Sequence, residues 1–446
     1  MRKFASRKLI SALGTILFLL LSMCSNGSNG SNEPVEQQCE YTIEHVGNMM
    51  LVSPADCNIL FNLSDGSTRL KSYSPIFGNN PSPDPAPVDY FFLIREGHDE
   101  DGQLSKNILI NFMGGGACWA GTNCLDSKTN ITWDDIQFIA SNPALLTLAQ
   151  QGIILDTNED NPFKDWTLVY LPYTTGDVHW GSNDQEYTDA DGVRKTLYHR
   201  GHENFLAALR YIRDNYPPDT IDKIFVAGQS AGAYGAIFSF PYVKETYKNS
   251  TVWCLGDAGM GVTTQAFVDS IINNWKAAEN LPDWIPGIDA ESFRYMTTGE
   301  FINAIANYYF DSLIAQYTAK YDHNQRFYYY VMLHIDESEL WDFMDGDGYY
   351  VPDQVSCEWT EIMLEHIKTA QFAPNYNAYV APGEVHTITT SEEMYNVVSD
   401  GVALVSWINQ MLDFDPGWIS VECDETDDGC QRPVTFESPS GIDCTP

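Results

Sequence analysis

Short apolar runs alternate with longer segments of helical periodicity along most of the chain. Runs rich in β-branched and aromatic residues predict buried strands, and these are YFFLIRE, NILINFMG, TLVYLPY, DKIFVAG, TVWCLGD and RFYYYVMLHID. Apolar residues at helical spacing predict helices in HENFLAALRYIRDNY, AGAYGAIFSF and VALVSWINQML. We expect the first two runs to be neighbouring strands. Strands that alternate with helices are typical of a mainly parallel sheet flanked by helices, so the predicted fold class is α/β.

Changes in composition divide the chain into three parts. Residues 1–23 are typical of a secretory signal peptide, because basic residues precede a short apolar run. Residues 24–37 contain SNGSNGSNEP and are predicted to be a flexible tether. Residues 38–446 are expected to form one folded domain. Within it, residues 262–325 look mostly helical and carry aromatic side chains that we expect to be exposed, either on a cap or on peripheral helices; we favour the cap.

The sequence also suggests how the protein is exported. Cys24 directly follows the signal segment and is a candidate for lipid attachment, which would be the chain's contact with a membrane. Ordinary cleavage nearby, with removal of Cys24, is the alternative. Export permits disulfide bonds among the ten cysteines. The pairs Cys118/Cys124 and Cys423/Cys430 are close enough to bridge, and no spacing is typical of a zinc site.

Charge narrows the range of partners. The chain carries 61 acidic residues against 24 Lys and Arg, a formal net charge of −37. Nucleic acid is therefore excluded as a partner, and a polyanionic substrate would be repelled at long range. Arg194 and Lys195 are the candidates for a local basic exception. The acidic segments DFMDGDGYYVPD and CDETDDGC are interpreted as solvated loops, because the first lacks the glutamate that a calcium loop requires.

The stretch FVAGQSAGAYGA places Ser230 between glycines at a junction of strand and helix. A Gly-x-Ser-x-Gly sequence in this setting forces the serine onto a sharp turn with its hydroxyl exposed above the sheet. Glycines two positions to either side avoid Cβ clashes at such a turn. Ser230 is therefore predicted to be a nucleophile.

A serine nucleophile needs a base and an acid, which follow it in chain order in sheet enzymes of this kind. We choose His386, in a loop after a Pro-Gly turn, as the base; His334 and His366 are predicted to lie on a strand and a helix. Asp336 ends the predicted strand RFYYYVMLHID and is the chosen acid, with Asp257 as its rival.

An acyl-transfer site also needs donors for an oxyanion. The strand NILINF is followed by three glycines after Met113, and successive glycines let backbone N–H groups converge on one oxygen. Gly115, Gly116 and Ala231 are the predicted donors. A phosphate cradle is the alternative, but the Gly-Lys-Ser/Thr sequence it needs is absent.

Five motifs occur in order between Tyr90 and Trp418, and they are NFMGGGACW, DWTLVYLPYTTGDVHWG, GQSAGAYG, GDAG and HIDESEL. Together they resemble the pectin acetylesterase and Notum family of α/β hydrolases. The resemblance implies an α/β-hydrolase fold and a serine carboxylesterase that removes acyl groups from oxygen, with Ser230, Asp336 and His386 as its triad. It also implies an oxyanion hole formed by Ala231 and the glycines after Met113.

Two positions depart from the family pattern; the first removes a family cysteine, and the second argues against plant-like substrate specificity. Thr174 stands where plant-type members have a cysteine, and the segment around His386 lacks their His-Cys pair. Asp177, His179 and Trp180 follow the first of these positions and are predicted to lie near the substrate, the alternative for them being a structural turn.

The sequence thus predicts an exported serine esterase that deacetylates a carbohydrate, with no metal and no cofactor. A carboxylesterase or lipase for longer acyl chains is the alternative among enzymes. A catalytically inactive, glycan-binding surface lipoprotein is the alternative from another class.

Overall fold

The computed structural model describes residues 35–77, 88–126, 129, 151–341, 351–423, 442 and 444. The predicted signal peptide, Cys24, nearly all of the tether and most of both acidic loops lie outside the described residues. The described elements belong to a compact unit that begins at Glu36.

The strands and helices are numbered along the described chain. The strands are β1 Tyr41–Val46, β2 Met49–Pro54, β3 Cys57–Asn62, β4 Thr68–Tyr73, β5 Ile76–Phe77, β6 Val88–Asp89, β7 Phe92–Arg95, β8 Asn107–Phe112, β9 Thr167–Leu171, β10 Asn183–Thr188, β11 Arg194–His199, β12 Lys223–Gln229, β13 Thr251–Asp257, β14 Leu313–Ala319, β15 Tyr376–Ala381, β16 Val398–Ser399, β17 Val402–Ala403 and β18 Val421–Glu422. The α-helices are α1 Gly121–Leu125, α2 Gly201–Asn215, α3 Ala231–Thr246, α4 Gln265–Asn274, α5 Ala290–Phe293, α6 Thr298–Tyr308, α7 His323–Leu333, α8 Ser338–Trp341, α9 Asp353–Ala370 and α10 Leu404–Leu412. Short 3₁₀ helices occupy Gly152–Ile154, Ala277–Asn280 and Glu392–Tyr395.

The described strands build a ten-stranded central sheet in the order β1-β2-β7-β9-β8-β12-β13-β14-β15-β18. Pairing is parallel from β9 through β18 and antiparallel from β1 to β9. The predicted α/β class with a mainly parallel sheet is therefore confirmed. The predicted adjacency of YFFLIRE and NILINFMG is wrong, because β9 lies between β7 and β8.

Small residues bring helix α3 close to the centre of the sheet. Every residue from Val226 to Gln229 is buried, as expected for a strand covered on both faces. A Cβ on Gly232, in the first turn of α3, would lie 2.0 Å from the carbonyl oxygen of Phe112 at the end of β8. Only glycine permits this approach, so the GQSAG sequence fixes where the helix begins relative to two strand ends.

The segment RFYYYVMLHID is not a strand. It forms most of α7, whose first turn is capped by Asp322, since this carboxylate accepts the Gln325 N–H at 3.0 Å. The strand at this place in the sheet is instead β14, with sequence LIAQYTA. Its central Gln316 interrupts the apolar pattern, but this side chain is buried and hydrogen-bonded to Gly259 and Tyr376.

The range predicted for the cap, residues 262–325, is too long, because β14 lies inside it. The helices α4 to α6 form its helical part. The aromatic side chains that we expected to be exposed are buried at Trp275, Trp284, Phe293 and Tyr309, and Tyr308 is half-buried. They pack into the main core rather than form an exposed surface.

The disulfide bonds lie outside the parallel strands of the central sheet. Three bonds join Cys39 to Cys57, Cys118 to Cys124 and Cys357 to Cys444, so the predicted local bridge at Cys118 is confirmed. Cys423 is also disulfide-bonded. These bonds are typical of an oxidising compartment and fit an exported protein. In the described part of the chain, no helix combines the length and apolar character needed to cross a membrane.

Candidate active site

Four loops meet at one edge of the sheet because parallel strands end there together. They follow β8, β12, β14 and β15, and they carry the three glycines, Ser230, Asp322 and His386 respectively. This edge also opens into a pocket that Ser230 and His386 both line.

Ser230 lies on the turn between β12 and α3 in a backbone conformation that few residues other than glycine adopt. Its φ is 54° and its ψ is −122°, so the turn is strained. The Ser230 N–H donates to the carbonyl oxygen of Asp257 at 2.8 Å, which ties the turn to the next strand. A Cβ on Gly228 would lie 2.0 Å from the Gly232 carbonyl oxygen, so both glycines are needed. This geometry agrees with the strand-turn-helix predicted from the sequence.

The glycines after Met113 lie directly against the serine turn. A Cβ on Gly114 would lie 2.5 Å from the Gln229 carbonyl oxygen and 3.0 Å from the Cβ of Ser230. Gly115 and Gly116 have φ values of 155° and 76°, which favour glycine. Gly116 and Ala231 line the pocket beside Ser230, and Gly115 connects Gly114 to Gly116. The N–H of Ala231 is at the first position of α3, where no intrahelical acceptor exists.

His386 forms an ion pair with Asp322. Its Nδ1 lies 2.9 Å from each oxygen of the Asp322 carboxylate, which is fully buried. Burial alone lowers the pKa of His386, but the charge and hydrogen bond of Asp322, with the charge of Asp257, raise that pKa above its usual value overall. The contact leaves the other ring nitrogen, Nε2, for a partner such as a serine hydroxyl.

The predicted acid, Asp336, is not the carboxylate bonded to this imidazole. Asp336 is exposed in the turn after α7, because the segment expected to end as a strand at the sheet edge is instead a helix. The carboxylate that contacts His386 belongs to Asp322, three residues beyond the end of β14. Asp322 was not predicted as the acid because β14 was not predicted as a strand; the acid in KYDHNQ, directly after LIAQYTA, was the available signal.

The other candidates for acid and base have different partners. Asp257 contacts the loop that follows His386 rather than its ring, accepting the N–H groups of Ile388 and Thr389 at 2.9 and 2.7 Å. His334 ends α7 and pairs with Glu337. His366 lies on α9 as expected, but it is buried rather than on the surface.

Of the three predicted substrate contacts, only Trp180 lines the pocket. Trp180 stacks on Phe238 and donates from Nε1 to the Tyr234 carbonyl oxygen. Asp177 is fully buried and accepts hydrogen bonds from four groups, including the Gly201 N–H at 2.7 Å. His179 is buried beneath the glycine loop, with Nε2 2.9 Å from the Met113 carbonyl oxygen. Asp177 and His179 thus lie in the structural turn that was the alternative for them, and neither lines the pocket.

Burial sets the protonation state of His179. Removal from water lowers the pKa of His179 to about 4, although its hydrogen bond to Met113 opposes the shift. His179 is thus neutral in the folded protein at neutral pH. Its ring packs edge-on against Phe112 and supports the glycine loop from below.

The pocket beside Ser230 is mostly apolar. Its empty volume is about 890 Å³, including the space at its open mouth. The helical insertion supplies much of the wall through Phe267, Val268, Ile271, Phe293 and Met296. The polar lining residues of the pocket include Ser230, His386, Gln325 and Thr298. The arrangement offers a hydroxyl, an imidazole bonded to a carboxylate, and backbone N–H donors in one mostly apolar pocket.

One grouping in the described residues has the spacing of metal ligands. Single ligand atoms of Cys118, Cys124 and His199 lie within 4.8 Å of one another. The two sulfur atoms are joined as a disulfide, and His199 is hydrogen-bonded through both ring nitrogens, to Tyr187 and Thr175. These groups are therefore engaged with one another and with the protein.

Comparison with known proteins agrees with this arrangement. A family model for pectinacetylesterases matches residues 90–395, which is more than half of the chain. The chain belongs to the pectinacetylesterase family. Membership supports ester hydrolysis as the class of chemistry, and it confirms the resemblance drawn from the motifs. No curated protein sequence matches this pectinacetylesterase-family chain significantly.

Solved structures with the same fold include two crystal forms of the Wnt deacylase Notum from Drosophila. The first is 14% identical, with a TM-score of 0.53, and the match covers 85% of this chain and all of that one. The second is 13% identical, with a TM-score of 0.51, covering 85% and 99% of the two chains. At these identities the likeness concerns the fold, which is that of an α/β hydrolase.

Proposed function

We propose that this pectinacetylesterase-family protein is a serine carboxylesterase whose triad is Ser230, His386 and Asp322. The observation that carries the proposal is the bond from Nδ1 of His386 to the buried Asp322 carboxylate, in the pocket that Ser230 lines. Asp322 takes the role that the sequence analysis gave to Asp336. The N–H groups of Gly116 and Ala231 are the proposed oxyanion donors, with Gly115 shaping the loop.

The reaction proceeds through an acyl-enzyme. The Ser230 Oγ attacks the ester carbonyl carbon while its proton moves to Nε2 of His386, and the carbonyl oxygen becomes an oxyanion. Collapse breaks the bond to the alcohol oxygen, which leaves with the proton from Nε2. Water then attacks the acyl carbon by the same route, giving the carboxylic acid and the free serine. Asp322 holds the imidazole in the tautomer that accepts a proton at Nε2.

The walls of the pocket favour an acyl group longer than acetyl. An acetyl methyl would leave the contacts with Phe267, Ile271 and Phe293 unused, whereas a chain of several carbons would bury itself against them. Each buried methylene contributes about 0.8 kcal/mol, or about fourfold in kcat/KM while the pocket still has room. The alternative of longer acyl chains is therefore our first candidate. The name of the Notum structures, which describes them as deacylases, is compatible with it.

An acetylated carbohydrate is the second candidate, and the family match supports it. Its backbone is expected to be neutral. Arg194 and Lys195, the candidates for a basic groove, are each paired with an acid, Glu186 at 2.8 Å and Asp189 at 3.1 Å, and neither lines the pocket. With a net charge of −37, acetate release from acetylated pectin should rise with added salt, while release from acetylated xylan should barely change.

A panel of nitrophenyl esters with two to twelve acyl carbons tests the choice of acyl group. We expect kcat/KM to rise at least about tenfold from acetate to octanoate, since several methylenes gain contacts. Highest activity on acetate, with acetate release from acetylated xylan, would favour the second candidate. Absence of turnover on every ester and polymer would favour an inactive glycan-binding protein. Ser230→Ala, assayed on each substrate, serves as the control for contaminating esterases.

We also propose that the protein is exported and attached to a membrane through lipid on Cys24. The disulfide bonds support export, and the signal-like residues 1–23 support the lipid site. Metabolic labelling with a radioactive fatty acid, lost in Cys24→Ala, is the expected result.

A further inference from the structure

We infer that Asp257 is a positioning residue that holds the loop carrying the base, an inference that rests on the proposed triad. Asp257 ends β13, between the strands that lead to Ser230 and to Asp322. Its side chain does not reach the imidazole ring of His386 but binds the backbone just beyond it. The consequence is that this carboxylate sets the direction from which His386 enters the pocket.

The hold on the loop is a cluster of short hydrogen bonds. One oxygen of Asp257, Oδ2, accepts the N–H of Ile388 at 2.9 Å, the N–H of Thr389 at 2.7 Å and the hydroxyl of Thr389 at 2.7 Å. These residues follow His386 by two and three positions. Thr387, between His386 and Ile388, has a φ of 58°. Asp257, Ile388 and Thr389 are each at most 1% exposed, so water does not compete for these bonds.

The same residue also fixes the nucleophile. The backbone carbonyl of Asp257 accepts the Ser230 N–H at 2.8 Å, on the side of the strained turn that faces β13. One residue therefore anchors the turn that carries Ser230 and the loop that carries His386. A shift of its backbone or side chain would change the relative position of the two reacting groups.

The cluster extends beneath the nucleophile and the glycine loop. Thr389 Oγ1 accepts a hydrogen bond from Gln229 Nε2 at 3.1 Å. The side-chain amides of Gln229 and Asn111 also form two hydrogen bonds with each other, at 2.9 and 3.2 Å. Asn111 precedes the end of β8, and Gln229 ends β12. The network thus joins the strands of the glycine loop and of Ser230 to the base loop through buried polar groups that hydrogen-bond to one another, with Oδ2 of Asp257 as the acceptor and Oδ1 without a hydrogen-bond partner among the described residues.

This arrangement distinguishes a positioning carboxylate from a triad acid. Asparagine at position 257 keeps an oxygen that can accept the N–H groups of Ile388 and Thr389, so the loop stays in place. A triad acid must accept a hydrogen bond from the Nδ1–H of the histidine and stabilise the imidazolium, and asparagine cannot replace the carboxylate in that role. The two roles therefore predict opposite outcomes for the same conservative substitution.

The test compares Asp257→Asn and Asp257→Ala with wild type, using kcat and KM on the best ester and the rate at which a fluorophosphonate labels the serine. We expect Asp257→Asn to stay within about fivefold of wild type and Asp257→Ala to lose about a hundredfold in kcat with little change in KM, since misplacement of about 1 Å costs that much. Phosphonate labelling should slow in parallel. Asp257→Ala with kcat within threefold of wild type, or Asp257→Asn as damaged as Asp257→Ala, overturns the inference.

Thr389 provides a second pair of variants if Asp257→Ala does not fold. Thr389→Ser keeps the hydroxyl and should remain near wild type, while Thr389→Val loses the hydroxyl's hydrogen bonds to Asp257 and Gln229 and should lower kcat about tenfold. Equal kcat for these two variants contradicts the inference. Failure of the proposed triad is recognised separately, because wild type itself would then show no Ser230-dependent turnover or labelling.

Discussion

The two halves of the candidate site are built in different ways. The nucleophile half, at the ends of β8 and β12, is held by close backbone approaches that only glycine allows, at Gly114, Gly228 and Gly232. The acid–base half, at the ends of β14 and β15, is held by hydrogen bonds between two loops 64 residues apart in sequence, measured from Asp322 to His386. Local sequence therefore encodes the first half, and tertiary contacts determine the second.

In the acid–base half, backbone hydrogen bonds continue from β14 and β15 into the loops that follow them. The N–H groups of Lys320 and Tyr321 donate to the carbonyl oxygens of Ala381 and Gly383, at 2.9 and 3.0 Å, past the last paired residues of β14 and β15. Arg326, on α7, hydrogen-bonds to both loops. Its guanidinium donates to the Tyr321 carbonyl oxygen at 2.9 Å and to Glu384 in the base loop at 3.0 Å.

The largest expected effect comes from the nucleophile half. Ser230→Ala removes the attacking oxygen and should lower kcat by a factor of about 10⁴ to 10⁶, as single losses from such triads do. The backbone conformation at position 230 is no worse for alanine than for serine, so the fold should persist. Nitrophenyl ester turnover and circular dichroism measure the two outcomes.

Ser239→Ala is the matched control for this variant. Ser239 lies on α3, the helix that Ser230 precedes, and is fully buried, so the change tests the loss of a hydroxyl that does not line the pocket. Its kcat should match that of wild type. Residual turnover of Ser230→Ala above about 1% of wild type would mean that another group attacks the ester.

The second prediction separates the two acids. Asp322→Asn should lower kcat by about 10³ to 10⁴, because an amide favours the wrong tautomer of His386. Asp336→Asn, an identical change at an exposed position, should leave kcat unchanged. Both variants are compared by kcat on one ester after confirmation of their folding. The opposite ranking would restore the acid predicted from the sequence and would exclude the pair seen at His386.

This contrast shows how far the sequence reaches. The Ser230 turn, its strand and helix, and the glycine loop are local patterns, and each was predicted at its position. Asp322 was missed because Gln316 breaks the apolar pattern of β14. Gln316 is accommodated by buried hydrogen bonds to Gly259 and Tyr376, which lie in distant segments of the sequence. The same limit explains why the burial of Asp177 and His179 was not predicted, since it depends on contacts with Gly201 and Met113 rather than on neighbouring residues.

A third prediction concerns the clamp in the acid–base half. Arg326→Lys keeps the charge but cannot bridge Tyr321, Ser356 and Glu384 together, so kcat should fall about tenfold through loss of alignment. Arg194→Lys, at an exposed ion pair on the β10–β11 hairpin, is the control and should have no effect. Steady-state kcat and KM measure the change. Unchanged kcat in Arg326→Lys would show that the backbone bonds between the loops are sufficient.

The smallest predicted effect is on stability, where the two halves should respond to pH with opposite sign. His179, under the glycine loop, has its pKa lowered by burial to about 4. The unfolded chain therefore binds a proton that the folded protein does not, and stability falls as pH drops from about 6.5 towards 4. His386 has a raised pKa, owing to Asp322 and Asp257 despite its burial, so its contribution is full below about pH 6.5 and is lost as pH rises through the folded-state pKa.

Urea unfolding from pH 4.5 to 7.5 tests this difference with His179→Gln and His386→Gln. The first variant should lose about 2 to 3 kcal/mol less stability than wild type on acidification, because the proton-linked penalty of His179 is gone. The second should lie closest to wild type at the highest pH. Parallel curves for wild type and His179→Gln would mean that this buried imidazole accepts its proton in the folded state. KM on the best ester should be unchanged in His179→Gln, since its side chain supports the loop from beneath and does not line the pocket.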